Sequence, residues 1–310
     1  MKLYRLEALR GFAAFYVVLH HSLPHSLKFS NWEIGYLFRF GQEAVILFFL
    51  LSGFVINYSY QTGGDKTPKT YFAKRAARIY IPLVLIMVLG YLLECWRIGG
   101  FVDPRFTNLI ANLFMLQDVK ALKPNVIVEP YMGNTPLWSL SYEWWFYVLY
   151  FPAIKWVSNS VLRNRLVLVV TLLAASWYVT SPDFGSRLLM YFLIWWSGVV
   201  LSEQYLNNSI NYRNIFPILI ALLGVISLLA LNIFVYSKSG AELRVGVHPV
   251  LEFRHFVFSI LSIVCALAWR RVHWIGFNMI FKPFLMLAPI SYTLYISHYY
   301  FLLTMIGFLE

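Results

Sequence analysis

Apolar residues in this 310-residue chain run in long stretches separated by short polar segments. A membrane barrel would instead alternate residue by residue, so the pattern predicts helical spans. They fall at 8–26, 40–60, 79–96, 137–157, 166–181, 187–206, 215–236, 253–269 and 284–308. A tenth apolar segment, 107–118, is below the roughly 20 residues needed to cross about 30 Å of hydrocarbon. It reads as a half-helix or re-entrant element that enters and leaves on one side. The predicted fold is all-α: a polytopic helical bundle of about ten transmembrane helices in a single domain, 1–310. The largest segments outside the membrane are loops 97–136 and 237–252.

Composition agrees. Apolar residues make up 60% of the chain and charged residues only 13%, against about 25% charged in a soluble globular domain. That excludes a cytosolic enzyme, a disordered chain and a disulfide-rich secreted module. Cys95 and Cys265 lie in apolar stretches and suggest neither a disulfide framework nor a metal site. The first span lacks a small-x-small cleavage site and continues through histidines, so it does not read as a cleavable signal.

The net charge of +11 is explained by topology. With the N-terminus inside, 15 of the 25 Lys and Arg residues fall on the cytoplasmic side, as the positive-inside rule requires. The compact set Lys66, Lys69, Lys74, Arg75 and Arg78 weighs most. Of the acidic residues only Glu7, Asp65 and Glu203 fall inside. The expected location is the inner (cytoplasmic) membrane, with membrane lipid as the surroundings and no need for a nucleic-acid partner.

Ionisable groups inside a bilayer cost about 2.5–3.5 kcal/mol on insertion scales, so those that persist are functional candidates. The first span holds Arg10, His20 and His21. The helix beginning near Leu137 holds Glu143, and the last holds His298. Arg10 and His21 are 11 residues apart, about 16 Å at 1.5 Å per residue, which puts Arg10 near the cytoplasmic face and His21 in the outer half. Counting from each helix entry, Glu143 lies about 9 Å deep and His298 about 21 Å along. His21, Glu143 and His298 are thus expected at one depth. Each also has a plain structural reading. Either histidine can simply bond nearby backbone, and adjacent residues point about 100° apart, so one site takes at most one of them easily. Glu143 and His298 can be packing groups, and Arg75 and Arg78 ordinary cytoplasmic anchors. Tyr and Trp near helix ends are assigned to the interfacial belt.

Five segments in order carry a family resemblance. They are Leu6-Glu-Ala-Leu-Arg10 through His21, with ten residues between Arg10 and His21; Phe48-Phe-Leu-Leu-Ser52-Gly53; Arg75-Ala-Ala-Arg78; Leu137-Trp-Ser-Leu-Ser-Tyr-Glu143; and Ser291-Tyr-Thr-Leu-Tyr-Ile-Ser-His298. Together they resemble the membrane acyltransferase-3 family, which modifies surface carbohydrates. The resemblance spans nearly the whole chain. It departs where the second acidic residue usual after the glutamate is replaced by Trp144. The expected chain also lacks the extracytoplasmic hydrolase-like domain of some relatives.

The resemblance implies transfer of an acyl group, most often acetyl, from acyl-CoA to a hydroxyl of an exported or lipid-linked carbohydrate, with acetyl-CoA as donor and no metal. Arg10, Arg75 and Arg78 fall on the cytoplasmic side, where guanidinium groups suit the CoA phosphates. His21 is the expected general base, with Glu143 orienting its ring; an acyl-His intermediate would use the same residues. His20, Ser139, Ser141 and His298 are read as candidate substrate contacts. Three other readings compete: a transporter or flippase of a polysaccharide precursor, a membrane scaffold in polysaccharide assembly, and a polysaccharide polymerase.

Overall fold

Helices form where apolar runs meet good start signals. We describe the protein from a computed structural model, covering residues 3–23, 27 and 33–307. The helices are α1 (Tyr4–Ser22), α2 (Gly41–Thr62), α3 (Pro68–Ile98), α4 (Phe106–Leu113), α5 (Trp138–Trp156), α6 (Ser160–Thr180), α7 (Phe184–Leu206), α8 (Tyr212–Lys238), α9 (Val250–Arg271), α10 (Phe277–Phe281) and α11 (Ser291–Gly307). Among the described residues there is no strand, only an isolated bridge between Gln117 and Val128.

The helix starts follow capping chemistry, in which a side-chain oxygen satisfies an orphan backbone N–H. Thr67 caps α3 ahead of Pro68. Asn159, Asp183 and Asn211 cap α6, α7 and α8, and Asp183 forms a reciprocal box with Ser186.

Among the described residues, six helices are long and apolar enough to cross a membrane: α2 with the turn before it, α3, α6, α7, α8 and α9. The count is seven if Phe277–Leu287 and Ser291–Leu302, which bend by 72°, make one broken span. Helices α1 and α5 have 19 residues each but fall outside that set. The first carries Arg5, Glu7 and Arg10, and the second Glu143, Lys155 and many Trp and Tyr. Both carry candidate site residues, Arg10, His20 and His21 on α1 and Glu143 on α5.

Three predicted boundaries change. The third span begins at Pro68, not 79, so Arg75 and Arg78 ride on α3 itself. The short segment 107–118 is helical only over Phe106–Leu113, about 12 Å of rise. The last span, predicted from 284, starts as a straight helix only at Ser291, after the 72° bend. Residues 24–26 of the first predicted span and residue 308 of the last lie outside the described residues. Both cysteines are free.

Helix α7 forms the centre, with Tyr191, Leu193, Ile194, Trp195 and Trp196 fully buried. It crosses α2 at a pair of small residues. A Cβ on Gly53 would sit 1.9 Å from the Trp195 carbonyl oxygen, and one on Gly198 2.1 Å from that of Leu50. Such close approach of backbones is how membrane helices gain dispersion energy. On α3, Val84, Leu85, Val88, Leu89 and Leu92 share one face and are exposed, as a lipid-facing stripe would be.

The loop between α4 and α5 folds inward. Gln117, Asp118 and Asn134 are fully buried. Gln117 Nε2 donates to the Leu137 carbonyl (3.1 Å), and Ser141 Oγ donates to that of Gln117 (2.8 Å). Asn134 Nδ2 donates to the Ile296 carbonyl on α11 (3.0 Å). Because of this inward fold, α5 starts inside the protein, and Leu137 itself is fully buried.

Candidate active site

Helices α1, α2, α3, α5 and α11 surround a cavity of about 40 Å³. Arg10, Ser52, Arg78, Ser139, Glu143 and Ser291 supply its polar lining, and Phe48, Phe49 and Val55 part of its apolar wall. Glu143 accepts from Ser52 Oγ at 2.8 Å, and from Tyr147 OH, which stands one turn along α5. Tyr147 OH also meets Ser52 Oγ at 3.3 Å. Arg10 donates to Ser291 Oγ at 3.3 Å. Arg10 and Arg78 are both within electrostatic reach of Glu143 and Tyr147. The Arg75 guanidinium carbon lies 5.4 Å from the Tyr71 ring centre and 5.9 Å from that of Tyr147. Its Nε is buried without a hydrogen-bond partner.

This inner layer sets Arg10 and Arg78 beside Glu143, with Arg75 against the Tyr71 and Tyr147 rings. The chemistry suits an anion. Arginine forks match phosphate oxygens, and the unpartnered Arg75 Nε is a donor still to be satisfied.

A second layer lies farther along α1 and α11. His298 Nε2 is 3.3 Å from His21 Nδ1, with ring centres 4.9 Å apart. His298 is buried, while His21 is exposed. His20 turns aside: its Nδ1 donates to the Phe38 carbonyl at 2.5 Å. Gly41 makes room for that ring, since a Cβ there would lie 2.3 Å from a His20 carbon.

The structure thus joins two of the three groups expected at one depth and moves the third. Glu143 belongs to the Arg10 layer. Its depth was counted from an entry at the membrane surface, but α5 starts inside the protein behind the inward loop. His298 is seven residues beyond Ser291, about 10 Å up the helix, not 14 residues from an entry at 284. His21 is 11 residues beyond Arg10. The two helices therefore carry a cationic layer and an imidazole layer in the same order.

Ser139 lines the cavity and donates to Tyr295 OH at 2.9 Å, between the layers. Ser141 points elsewhere, its hydroxyl shared by the Gln117 and Trp138 carbonyls. Sequence reasoning missed Tyr147 and the hydroxyls of Ser52 and Ser291. The signal for Tyr147 was its i, i+4 spacing from Glu143, which places both on one helix face. Among the described residues, no group of three His, Cys, Asp or Glu side chains is arranged to hold a metal ion.

An all-helical bundle thus holds a cavity lined by Arg10 and Arg78, with a histidine pair farther along α1 and α11. The sequence pattern of the acyltransferase-3 family, described as an acyltransferase domain, matches residues 3–310, and the chain belongs to that family. It is 32% identical over 159 residues to the acyltransferase MdmB of Streptomyces mycarofaciens, covering 48% of this chain and 38% of that protein. It is 26% identical to the peptidoglycan O-acetyltransferase OatA of Listeria monocytogenes, over 95% of this chain and 48% of OatA. Identity to the O-acetyl transferase of Shigella phage Sf6 is 27%, over 56% of this chain and 53% of the phage protein. The matched regions thus span between about two fifths and just over half of these relatives' lengths. No solved structure matches the chain.

Proposed function

We propose that the protein transfers an acetyl group from cytoplasmic acetyl-CoA to a hydroxyl of an exported or lipid-linked carbohydrate in the inner membrane. The observation that carries the reading is the two-layer arrangement, with Arg10 and Arg78 beside Glu143 and an imidazole pair farther along α1 and α11. In this reading the N-terminus is cytoplasmic, and α1 and α5 cross the membrane despite their polarity. Their charged groups face the cavity, where water and partners are available.

Arg10, Arg75 and Arg78 hold the CoA phosphates at the inner end, and the pantetheine arm extends through the cavity towards the outer layer. Glu143, held by Ser52 and Tyr147, offsets part of the guanidinium charge and fixes Tyr147 beside Arg75. His21 is the base. It takes the proton of the acceptor hydroxyl as that oxygen attacks the thioester carbonyl carbon. The C–S bond breaks, the ester forms, and the thiolate leaves with the proton returned by the imidazolium. Free CoA and neutral His21 result. The acetyltransferase names of OatA and the phage relative support acetyl as the group and an envelope polymer as the acceptor class.

The test compares His21→Ala and His20→Ala at matched expression, reading thiol release from acetyl-CoA and acetyl esters on envelope glycans by mass spectrometry. Loss of both signals in H21A, with H20A retaining them, is expected. Equal loss in both, or loss only in H20A, would refute His21 as the base.

A further inference from the structure

We propose that His298 is the positioning residue for the base at position 21, acting as a neutral acceptor that holds the His21 ring and steadies its charge once protonated. The inference rests on the acyl-transfer reading above.

Two carbonyl groups, which can only accept, flank the histidine pair. His298 Nδ1 lies 2.6 Å from the Tyr295 carbonyl oxygen, so Nδ1 carries the proton. In the neutral ring Nε2 then holds a lone pair. That Nε2 faces His21 Nδ1 at 3.3 Å. The same His21 nitrogen lies 3.0 Å from the Val17 carbonyl oxygen, one helical turn back. Both of these neighbours of His21 Nδ1 are acceptors, so Nδ1 donates to both. The proton of neutral His21 sits on Nδ1 and its lone pair on Nε2, the nitrogen that receives the hydroxyl proton.

His298 therefore stands where a carboxylate stands in hydrolase triads, bonded to the far nitrogen of the base. The substitution suits the place. His298 is only 3% exposed and lies within a span-length helix pair, where an ionised carboxylate would carry a desolvation cost of several kcal/mol. A neutral imidazole accepts the same hydrogen bond without a standing charge. When His21 gains a proton, its Nδ1–H becomes a stronger donor, and the His298 lone pair stabilises the cation at the moment it forms. Tyr295 couples this pair to the cavity, because its hydroxyl accepts from Ser139 and donates to the Pro136 carbonyl at 2.9 Å.

Three variants test the role: His298→Leu, His298→Gln and His298→Asn. The glutamine carbonyl reaches about as far as Nε2, whereas asparagine reaches only to Nδ1. Outer-shell partners of this kind change activity by about 10–100-fold. H298L and H298N should lower kcat for acetyl-CoA-dependent thiol release by about that factor with KM for acetyl-CoA unchanged, and H298Q should recover most of the loss. A mere packing role would leave H298Q no better than H298N. Solid-state nitrogen NMR of histidine-labelled full-length protein in lipid gives a second readout, with His21 assigned by its absence in H21N. The expected spectrum shows Nδ1 protonated and Nε2 bare in His21. A protonated Nε2 with bare Nδ1 would overturn the proposal whatever the turnover. Unimpaired H298L in an active enzyme would overturn this role alone. A wild-type protein that releases no thiol would overturn the acyl-transfer reading and this role with it.

Discussion

Two polar clusters are built from similar residues and come out opposite in character. One is the inner layer of Arg10, Arg75, Arg78 and Glu143. The other joins the inward loop to α5 and α7. There Lys123 Nζ lies 2.9 Å from Asp118 Oδ1, and Arg187 Nε 3.2 Å from Asp118 Oδ2. Tyr142 OH donates to Asp118 Oδ2 at 2.6 Å, and Arg187 Nη1 donates to the Pro124 carbonyl at 2.9 Å. Lys123 also sits 3.6 Å above the Trp138 ring centre. All three charged side chains are buried. Glu252, buried nearby, bonds Tyr178 at 2.6 Å and lies within electrostatic reach of Lys123. Two acids thus answer two bases, and the space is filled. The inner layer has half-buried charged side chains beside a cavity. Charge packed against its partners fixes a loop, whereas charge beside a space can take a ligand.

The comparison is broken or sharpened first by removing its acids. Asp118→Ala leaves Lys123 and Arg187 buried together without their carboxylate, which costs about 3–5 kcal/mol. Thermal unfolding in detergent should show a large fall in Tm. Glu143→Gln should barely change Tm, because cavity water can solvate the guanidinium groups, yet it should lower acetyl transfer by about 100-fold, the scale of one lost electrostatic contact at a reacting site. Equal stability losses in the two variants would erase the distinction.

A smaller effect is expected from Arg75→Gln with Arg78→Gln. The pair should raise KM for acetyl-CoA about 10-fold, or roughly 1.4 kcal/mol, with little change in kcat. A last effect concerns pH. Burial pushes the Lys123 ammonium down to about 8, against the partial counter-effect of Asp118. The unfolded chain, with Lys near 10.4, then binds more protons between those values, so stability rises with pH across that window. Lys123→Met should flatten the rise in Tm between pH 8 and 10; an unchanged slope would assign it to other groups.

Much of this was legible in the sequence. Apolar runs marked candidate membrane helices, and Arg10, His20, His21, Glu143 and His298 stood out as ionisable groups in apolar company, whereas Arg78 came forward through the cytoplasmic cluster and the family motif. Local reasoning failed wherever depth depended on how a chain enters its helix. Glu143 was misplaced because Gln117 and Asn134 draw the preceding loop inward, and His298 because the chain bends by 72° before Ser291. Tyr147 was passed over because belt tyrosines and buried tyrosines are spelled alike.

The sequence by itself determined an all-helical membrane protein, the helix that carries each ionisable group, and the order of those groups along it. These follow from local hydropathy and a fixed rise per residue. Only the tertiary structure decided which groups meet. It paired His21 with His298, gave Glu143 to Ser52 and Tyr147, and set Asp118 between Lys123 and Arg187. Such meetings depend on the rotation, entry depth and bending of separate helices, which are set by packing between segments far apart in the chain.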